Sequence, residues 1–413
     1  MADKSRDISI VVVGGSYAGA AAARKLSDLS KKGYPGLKVT LVDEKSHYFH
    51  AIGFPKSLVD AKYAAKTFLP FAAFFEDGSQ HQFINSRLQA ITDAHHLELE
   101  NGQQVYYDYL VLATGGKAPG PINVSATSKD GGLAEIEQLR VGLEGANSVL
   151  VIGGGAVGVE ITGFVAATFP QKKVTLVHSG KRLLPTNLRE GVSNGAVAKL
   201  GQLGVDVVLN ERVELPNDFG HAAHVGHQVL RGTSGTEYSS DVQILAVGFK
   251  VRSAFLDPLE AKLGSLLHIE DGPGFIRVRP TLQLDSDSFP NIFVPGDAND
   301  LPMTAKYGFK AEMQGGTAAA NIKKLIDSGF DQAFAGSQDG GAVANAPPLG
   351  KWSDLVDAIM VPIGPDLGVA QMLKVALGCS GIGNFVVRQI KTKDFMLWMR
   401  KGYFPNKQQA IQQ

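Results

Sequence analysis

Glycines recur at one spacing in two places, each time directly after an apolar run that is typical of a buried strand. Gly153, Gly155 and Gly158 follow SVLVI and form an uninterrupted G-x-G-x-x-G motif. Glycines at this spacing allow a tight turn, a close approach of the backbone to a pyrophosphate, and close packing of the next helix on the strand. Phosphates then bind the N–H groups at the start of that helix. This unit is therefore predicted to bind a dinucleotide.

An earlier unit has the same layout with one departure. Gly14, Gly15 and Gly19 follow the apolar run ISIVVV, and Ser16 stands where the middle glycine belongs. Serine is the next smallest residue and adds a hydroxyl group near the phosphates. Asp43 ends the following strand, where a carboxylate can accept hydrogen bonds from ribose hydroxyl groups. The alternative for Asp43 is a solvated acid, but together these residues predict a second dinucleotide site.

The two units differ where the ribose would lie, because the strand KVTLV occurs in both and ends differently. The first copy runs into Asp43, whereas the second runs into His178 and Ser179. The second site therefore has no carboxylate to repel a 2′-phosphate, and we expect weak discrimination between NADH and NADPH. Lys181 and Arg182 follow, either as partners of such a phosphate or as solvated loop charges.

The composition narrows the class of protein. The chain has 413 residues, 40 Lys and Arg, and 40 Asp and Glu, so its formal charge is zero. A nucleic-acid-binding protein usually carries a basic excess, so nucleic acid is not an expected partner. Cys379 is the single cysteine and leaves no pair for a disulfide, a thiol relay or a zinc site. No metal is expected.

The ends and the hydropathy of the chain suggest where it works. The N-terminus, MADKSRDIS, lacks the apolar run of a secretory signal, and no run of about 18 apolar residues predicts a spanning helix. A cytoplasmic location is expected. The tail FMLWMRKGYF mixes aromatic and basic residues, which suits either contact with a membrane interface or packing on a neighbouring domain.

Further motifs carry a family resemblance. With LATGG at 112–116 and IFVPGDAND at 292–300, the two glycine motifs resemble the two-dinucleotide flavoprotein superfamily. Within it, the chain is most similar to apoptosis-inducing-factor-like NAD(P)H:quinone oxidoreductases, specifically the ferroptosis suppressor protein branch. AKTF at 65–68, GGGAVGVE, VTLVHS and RQIKTKDF at 388–395 carry this closer likeness.

The resemblance implies an α/β fold with two Rossmann-like dinucleotide-binding domains and a smaller C-terminal α+β domain. FAD is expected in the first site and NADH or NADPH in the second. The predicted boundaries are 1–122 for the first part of the FAD-binding domain, 123–250 for the NAD(P)-binding domain, 251–330 for the second part of the FAD-binding domain, and 331–413 for a linker and the C-terminal domain.

The resemblance also implies roles for single residues. Contacts to the flavin nucleotide are expected from six residues: His50, Lys56, Ala113, Gly115, Asp297 and Gln314. Glu160 and Gly248 are expected beside the nicotinamide. Lys306 is expected to stabilise negative charge on the reduced flavin, and Lys391 to lie on the quinone side. The alternative for each lysine is a surface charge.

The implied reaction is transfer of a hydride from NAD(P)H to the flavin, followed by reduction of a quinone-type acceptor. A reductase of a ferredoxin-like protein and a redox-sensing death-signalling module with little turnover remain as alternatives. We expect the C-terminal domain to fold onto the flavin domain with Lys391 facing the acceptor. The NAD(P) site is expected not to depend on that domain.

Overall fold

The computed structural model describes residues 5–117, 121–216, 219, 223–263, 266–268, 274–302, 306–330, 346–354, 358–372, 375–376 and 381–404. In these residues the helices α1 to α10 are Tyr17–Ser30, Phe54–Ser57, Ala61–Ala64, Lys129–Gly145, Ala156–Thr168, Glu190–Gln202, Asp257–Leu263, Gly308–Ser328, Gly381–Val387 and Leu397–Lys401. A π-helix at Arg388–Thr392 and short 3-10 helices at Ala51–Gly53, Ala65–Thr67, Phe71–Ala73 and Ala254–Leu256 complete the helical parts.

The strands of the described residues are, in chain order from β1 to β23, Ile8–Val13, Leu37–Asp43, His47–Phe49, Phe68–Pro70, Gln82–Asn85, Leu88–Ile91, His96–Leu99, Gln104–Tyr106, Tyr109–Leu112, Gly116–Lys117, Ser148–Ile152, Lys173–Val177, Asp206–Val208, Val213–Glu214, Ala223–Gly232, Glu237–Leu245, Lys250–Val251, Leu267–His268, Phe275–Ile276, Ile292–Phe293, Ile359–Ile363, Leu367–Met372 and Val375–Ala376.

The first nucleotide domain is built on a parallel sheet of five strands in the order β20-β9-β1-β2-β5. Its strands are almost continuously apolar, as expected for a parallel sheet that is covered on both faces. Helices α1 and α8 pack closely because small residues lie between them: a Cβ added to Gly315 would lie 2.1 Å from the Ala18 carbonyl oxygen. This close packing fixes the start of α1 above the sheet.

The second nucleotide domain repeats this plan around β11. Its sheet has the order β13-β12-β11-β16-β15-β14, and β12, β11 and β16 are parallel like β2, β1 and β9. The two domains are joined where their sheets end, since β10 pairs with β17 in an antiparallel link that matches Gly116 with Val251. The predicted pair of Rossmann-like domains is confirmed.

The C-terminal domain combines the antiparallel strands β21, β22 and β23 with α9, the π-helix and α10. Val361 and Ile363 belong to the apolar core of the second nucleotide domain, whereas Phe395 and Phe404 belong to that of the first. The domain therefore packs on both nucleotide domains, because its strands bury their apolar face against α5 while Phe395 and Phe404 pack in the first domain. In the part of the chain that the structure describes, no helix has the length and apolar character needed to cross a bilayer.

Candidate functional site

The first glycine loop joins β1 to α1 and needs glycine at both ends. Gly14 has a φ of +91°, and a Cβ there would lie 2.4 Å from the Ala113 carbonyl oxygen. A Cβ on Gly19 would lie 1.7 Å from the carbonyl oxygen of Gly14. The Gly15 N–H donates to the Asp43 carboxylate, with 2.7 Å between N and Oδ2. Asp43, at the end of β2, therefore stabilises the conformation of the first glycine loop through this hydrogen bond.

The second glycine loop has the same construction. A Cβ on Gly153 would lie 2.5 Å from the Ala246 carbonyl oxygen, and one on Gly158 would lie 1.8 Å from the Gly153 carbonyl oxygen. The Gly154 N–H donates to Nδ1 of His178 over 3.1 Å. An imidazole nitrogen therefore accepts the hydrogen bond that a carboxylate accepts in the first loop.

Both loops leave room at the position where the helix begins. A Cβ added to Gly155 would meet no described atom within 4 Å. Ser16, at the corresponding position, is exposed and caps α1 without a side-chain hydrogen bond. A pyrophosphate laid over either helix start would meet backbone N–H groups. The serine therefore leaves the geometry of the first loop intact.

The carboxyl group of Asp43 has a raised pKa for an acid at a strand end. Burial raises the pKa of its carboxyl group to about 6, although the N–H groups of Gly15 and Lys45 oppose the shift. Donors from a bound ribose would favour the ionised form further. Each oxygen of the carboxyl group accepts one backbone N–H and has a second lone pair, so it can accept a further hydrogen bond from a ribose hydroxyl group.

Asp297 presents a second buried carboxyl group in the first domain. Its Oδ1 atom is buried and has no hydrogen-bond partner among the described residues. Burial raises the pKa of this carboxyl group, and the nearby Lys306 ammonium opposes the shift. An unpaired buried oxygen is costly unless a ligand supplies a donor. The position therefore fits a ligand that carries hydroxyl groups.

Gln314 fixes the turn that carries Asp297. Its Oε1 atom accepts from the Gly296 N–H at 2.6 Å and from Asn299 Nδ2 at 2.8 Å. Gly296 has a φ of +92°, which favours glycine. Gln314 was expected to contact the flavin nucleotide; its amide oxygen is used on this turn, so it positions Asp297.

Lys306 is a partly buried cation rather than a solvated one. Its Nζ atom donates to the Asn299 carbonyl oxygen at 3.1 Å and lies 4.4 Å from the centre of the Phe275 ring. Burial lowers the pKa of the Lys306 ammonium, while Asp297 and Asp300 oppose the shift. The ammonium therefore stands close to the unpaired Asp297 carboxyl group.

Glu160 and Lys391 form an ion pair between α5 and the C-terminal domain. Lys391 Nζ lies 2.6 Å from Glu160 Oε1, and the side chains are 13% and 6% exposed. Lys391 also donates to the Met360 carbonyl oxygen at 2.9 Å. Burial raises the pKa of the Glu160 carboxyl group, and Lys391 opposes the shift. The second domain thus contacts the C-terminal domain at the residue that was expected beside the nicotinamide.

A second contact one helical turn along strengthens this junction. Phe164 of α5 packs on Phe395, with 5.6 Å between ring centres, and Lys391 lies 5.7 Å from the Phe395 ring. Lys391 sits in the π-helix, a geometry that is frequent at functional sites. Phe395 and Met396 then take positive φ angles of 52° and 61°, which end this helical stretch.

His50 and Lys56, both expected at the flavin nucleotide, are bonded to the C-terminal domain. His50 is fully buried; its Nε2 donates to the Phe395 carbonyl oxygen at 2.8 Å, and its Nδ1 accepts from the Tyr17 hydroxyl at 3.2 Å. Lys56 Nζ donates to the Lys393 carbonyl oxygen at 2.8 Å. Through these bonds, both residues tie the C-terminal domain to the first nucleotide domain.

The remaining predicted residues, Ala113, Gly115 and Gly248, follow the C-terminal ends of β9 and β16. Ala113 is buried beneath the first loop, and its N–H donates to the Val13 carbonyl oxygen at 2.8 Å. Gly115 and Gly248 have positive φ angles of 57° and 81°. They stand at the two ends of the β10–β17 link, so both lie at the junction between the nucleotide domains.

Sequence reasoning missed a buried cation beside the first loop. Arg400 is 2% exposed, and its Nη1 lies 2.6 Å from Glu312 Oε2 on α8. Its guanidinium lies 5.0 Å from the centre of the Tyr17 ring, next to Ser16 in the chain. The tail motif FMLWMRKGYF gave only a hint, since its basic residues suit a surface equally well.

Comparison with known proteins decides the family. The model for pyridine nucleotide-disulphide oxidoreductases matches residues 8–315. The chain belongs to this family. Pyridine nucleotide-disulphide oxidoreductases depend on FAD and NAD(P)H, so the chain is a flavoprotein oxidoreductase and the predicted cofactors are confirmed. The two glycine loops and the unpaired Asp297 oxygen fit these ligands.

The relatives within this family agree with the predicted resemblance. The chain is 24% identical to Apoptosis-inducing factor homolog B of Dictyostelium discoideum over 94% of each protein. It is 28% identical to Ferroptosis suppressor protein 1 of Homo sapiens over 80% of this chain and 84% of that protein. The resemblance to this branch is confirmed.

A solved structure shares the fold along nearly the whole chain. The sulfide:quinone oxidoreductase from Aquifex aeolicus matches with a TM-score of 0.68 at 17% identity and covers 98% of this chain and 94% of its own. At 17% identity, this likeness shows that the two proteins share a fold.

Proposed function

We propose that this chain is an NAD(P)H:quinone oxidoreductase that binds FAD at the first glycine loop and NAD(P)H at the second. The observation that carries the acceptor is the position of Lys391: its ammonium is buried at the domain junction, while its neighbour Ile390 is 43% exposed and apolar. A lipophilic acceptor that approaches the π-helix from solvent would contact Ile390 and would lie next to Lys391.

The assignment of FAD to the first loop rests on the two carboxyl groups of that domain. Asp43 would bind the adenosine ribose and Asp297 the ribityl chain, whose hydroxyl groups supply donors for the unpaired Oδ1 atom. FAD, when bound, accepts electrons from NAD(P)H and passes them to the acceptor. Lys306 adds a positive charge beside Asp297, which favours a site where negative charge develops.

The assignment of NAD(P)H to the second loop rests on α5. Its N-terminus starts at the loop, and Glu160 lies in its second turn, pointing to the junction with the C-terminal domain. Glu160 would then lie between the nucleotide loop and the proposed acceptor side. Glu160 would orient the nicotinamide end, while Lys391 holds a proton on Nζ that the reduced acceptor needs.

A quinone suits this junction better than the other acceptor classes. A disulfide-reducing enzyme of this family needs a cysteine pair, and the chain has Cys379 alone, which lies outside the described residues. A quinone offers carbonyl oxygens for an ammonium donor and an apolar ring for an exposed apolar side chain. Lys391 and its neighbour Ile390, which is 43% exposed, would supply these two kinds of contact.

The exposed residues of the C-terminal domain support membrane contact through this domain. Phe385 and Trp398 are 65% and 66% exposed, and Ile390 and Met399 are also open to solvent. The exposed bases of the same stretch are Arg388, Lys393 and Lys401. Aromatic and basic side chains together favour the interface of a bilayer with anionic lipids. This surface would bring the enzyme to a lipophilic substrate.

The acceptor is tested by separating the two half-reactions in a stopped-flow instrument. The enzyme is reduced anaerobically with NADH and mixed with a short-chain ubiquinone analogue or with a ferredoxin. We expect the quinone to re-oxidise the enzyme rapidly and the ferredoxin to do so slowly. Faster re-oxidation by the ferredoxin would make the alternative acceptor correct, and slow re-oxidation by both would favour a redox-sensing module.

Vesicle flotation tests the membrane contact. The wild type, the variant Phe385→Ser/Trp398→Ser and the control Val141→Ser/Val229→Ser are mixed with phosphatidylcholine vesicles with and without phosphatidylserine. Val141 and Val229 are both 54% exposed but lie on α4 and β15. We expect the wild type and the control to float with anionic vesicles and the first variant to remain below. Equal flotation of both variants would exclude this surface.

A further inference from the structure

We propose that Phe275 is a positioning residue for the flavin chemistry: its ring holds the Lys306 ammonium at the flavin site by a cation–π contact. This inference rests on the proposed function, because it takes Lys306 as the cation beside the flavin. It goes further in naming the side chain that keeps this cation in place, and in making the reduction potential of the flavin depend on an aromatic ring of the protein.

The backbone fixes Phe275 next to the turn formed by residues 296–300. The Ile276 N–H donates to the Ala298 carbonyl oxygen at 2.9 Å, and the Ile276 carbonyl oxygen accepts from the Asp300 N–H at 3.0 Å. Phe275 precedes Ile276 in β19, so these two hydrogen bonds also set the position of its ring. The ring and the turn therefore keep a fixed relation to each other.

The Lys306 ammonium contacts both the turn and the ring. Its Nζ atom donates to the Asn299 carbonyl oxygen at 3.1 Å and lies 4.4 Å from the centre of the Phe275 ring. A cation at this distance from a ring is attracted to it, and the attraction grows as both groups are removed from water. Burial lowers the pKa of the Lys306 ammonium, while Asp297 and Asp300 oppose the shift. A partly buried cation of this kind gains from an aromatic partner.

An aromatic partner leaves more of the positive charge available than a carboxylate partner does. Lys391 is paired with the Glu160 carboxylate at 2.6 Å, so the two charges of that pair largely cancel. The hydrogen bond of Lys306 goes to a neutral carbonyl group, and the Phe275 ring attracts the ammonium through its quadrupole without a net charge of its own. The Lys306 ammonium is therefore the better placed of the two lysines to stabilise charge on a neighbouring group.

A second ring braces Phe275 from the link between the nucleotide domains. Phe249 stacks on Phe275 with 6.2 Å between ring centres and 23° between ring planes. Phe249 directly precedes β17, and a Cβ added to Gly116 in β10 would lie 2.2 Å from its Cζ atom. The close fit of the β10–β17 link therefore restricts Phe249, which in turn restricts the ring beneath the ammonium.

The reduction potential of the bound flavin measures this arrangement without turnover. A positive charge beside the flavin favours the reduced form, because reduction adds negative charge. Phe275→Leu keeps an apolar side chain but removes the ring, so we expect the equilibrium constant for flavin reduction to fall about tenfold. For a two-electron couple this fall corresponds to about 30 mV. Phe275→Tyr keeps the ring and is expected to keep the potential.

The experiment equilibrates the FAD-loaded enzyme anaerobically with a reference dye of known potential, in the absence of nicotinamide nucleotide and quinone. Lys306→Met removes the charge itself and should lower the potential at least as far as Phe275→Leu does. The double variant Phe275→Leu/Lys306→Met should match Lys306→Met alone, because the ring acts through the ammonium. Phe83→Leu is the control: Phe83 is also half-buried and packs on another ring, that of Phe71, at 5.1 Å. We expect it to leave the potential unchanged.

The outcomes separate failure of the inference from failure of the site assignment. If Lys306→Met lowers the potential and Phe275→Leu does not, the lysine acts at the flavin without the ring and the inference is wrong. An equal fall in Phe83→Leu, or a further fall in the double variant, would also overturn it. If Lys306→Met leaves the potential unchanged, Lys306 does not lie beside the flavin, and its proposed placement is wrong together with the inference.

Discussion

Lys391 and Glu160 lie 231 positions apart in the chain and form a buried ion pair with 2.6 Å between Nζ and Oε1. The lysine belongs to the C-terminal domain and the glutamate to the helix that starts at the second glycine loop. A residue expected at the acceptor and a residue expected at the nicotinamide therefore act as one unit. Substitution of either residue should therefore also affect the other, because it leaves a buried charge without its partner.

The first prediction concerns the stability of this pair. Lys391→Met leaves the Glu160 carboxylate buried and unpaired, so we expect the free energy of unfolding to fall by about 3–5 kcal/mol. The double variant Lys391→Met/Glu160→Gln should recover most of that loss. Urea unfolding followed by tryptophan fluorescence measures both.

An exposed ion pair in the first domain gives the control. Lys31 and Glu76 lie 2.5 Å apart with side chains 57% and 45% exposed. Lys31→Met should cost no more than about 1 kcal/mol. Equal losses for Lys31→Met and Lys391→Met would mean that the buried pair has no special cost of separation.

The second prediction concerns the two half-reactions. Lys391→Ala removes the donor on the acceptor side and also releases Glu160, so we expect slower oxidation by quinone together with slower reduction by NADH. Glu160→Gln should slow reduction by NADH by roughly tenfold or more, on the scale of a lost catalytic hydrogen bond. Stopped-flow absorbance of the flavin records both steps. Unchanged reduction by NADH in both variants would place the pair outside the nicotinamide side.

The third prediction concerns retention of FAD. Asp297→Ala removes the buried carboxyl group whose Oδ1 is unpaired among the described residues, so a hydroxyl group of the flavin loses its acceptor and we expect a marked loss of bound flavin on purification. Asp300→Ala is the matched control, because the Asp300 carboxylate accepts from the Val278 N–H. The ratio of flavin absorbance to protein absorbance measures retention. A full flavin content in Asp297→Ala would remove this residue from the flavin site.

The fourth prediction concerns the dependence of stability on pH. Burial lowers the pKa of His50 to about 4, whereas a histidine in an unfolded chain has a pKa of about 6.5. Between these values the unfolded state binds more protons than the folded state. The contribution of His50 to stability is therefore complete above about pH 6.5 and is lost as the pH falls towards 4, by up to about 3 kcal/mol.

The variant His50→Gln isolates this contribution. Its amide can donate to the Phe395 carbonyl oxygen and accept from Tyr17, but it does not titrate. Asp43, with a pKa raised to about 6, acts in the opposite sense over much of the same range, so the comparison between variants is needed. We expect the stability of the wild type to fall more steeply than that of His50→Gln from pH 6.5 to pH 4. Parallel profiles would show that His50 does not remain neutral in the folded protein.

The sequence by itself determined the two nucleotide loops. Glycine spacing, the apolar strands before each loop and the strand-end residues Asp43 and His178 are local features, and the geometry of a strand, a tight turn and a helix start follows from them. The same local chemistry explains why Ser16 leaves the first loop intact. The repeat of KVTLV also predicted that the two domains would be built alike, and their central strand orders agree.

The tertiary structure decided everything that depends on how the C-terminal domain docks. His50 and the Phe395 carbonyl oxygen are 345 positions apart, and no local pattern indicates that a basic residue near the first loop bonds there. A lysine on a helix can face solvent or pair with a buried acid. The ion pair of Lys391 with Glu160 forms only because the π-helix packs on α5. Burial and long-range pairing are set by which surfaces meet, because the desolvation of a charge depends on the neighbours that surround it in the folded chain.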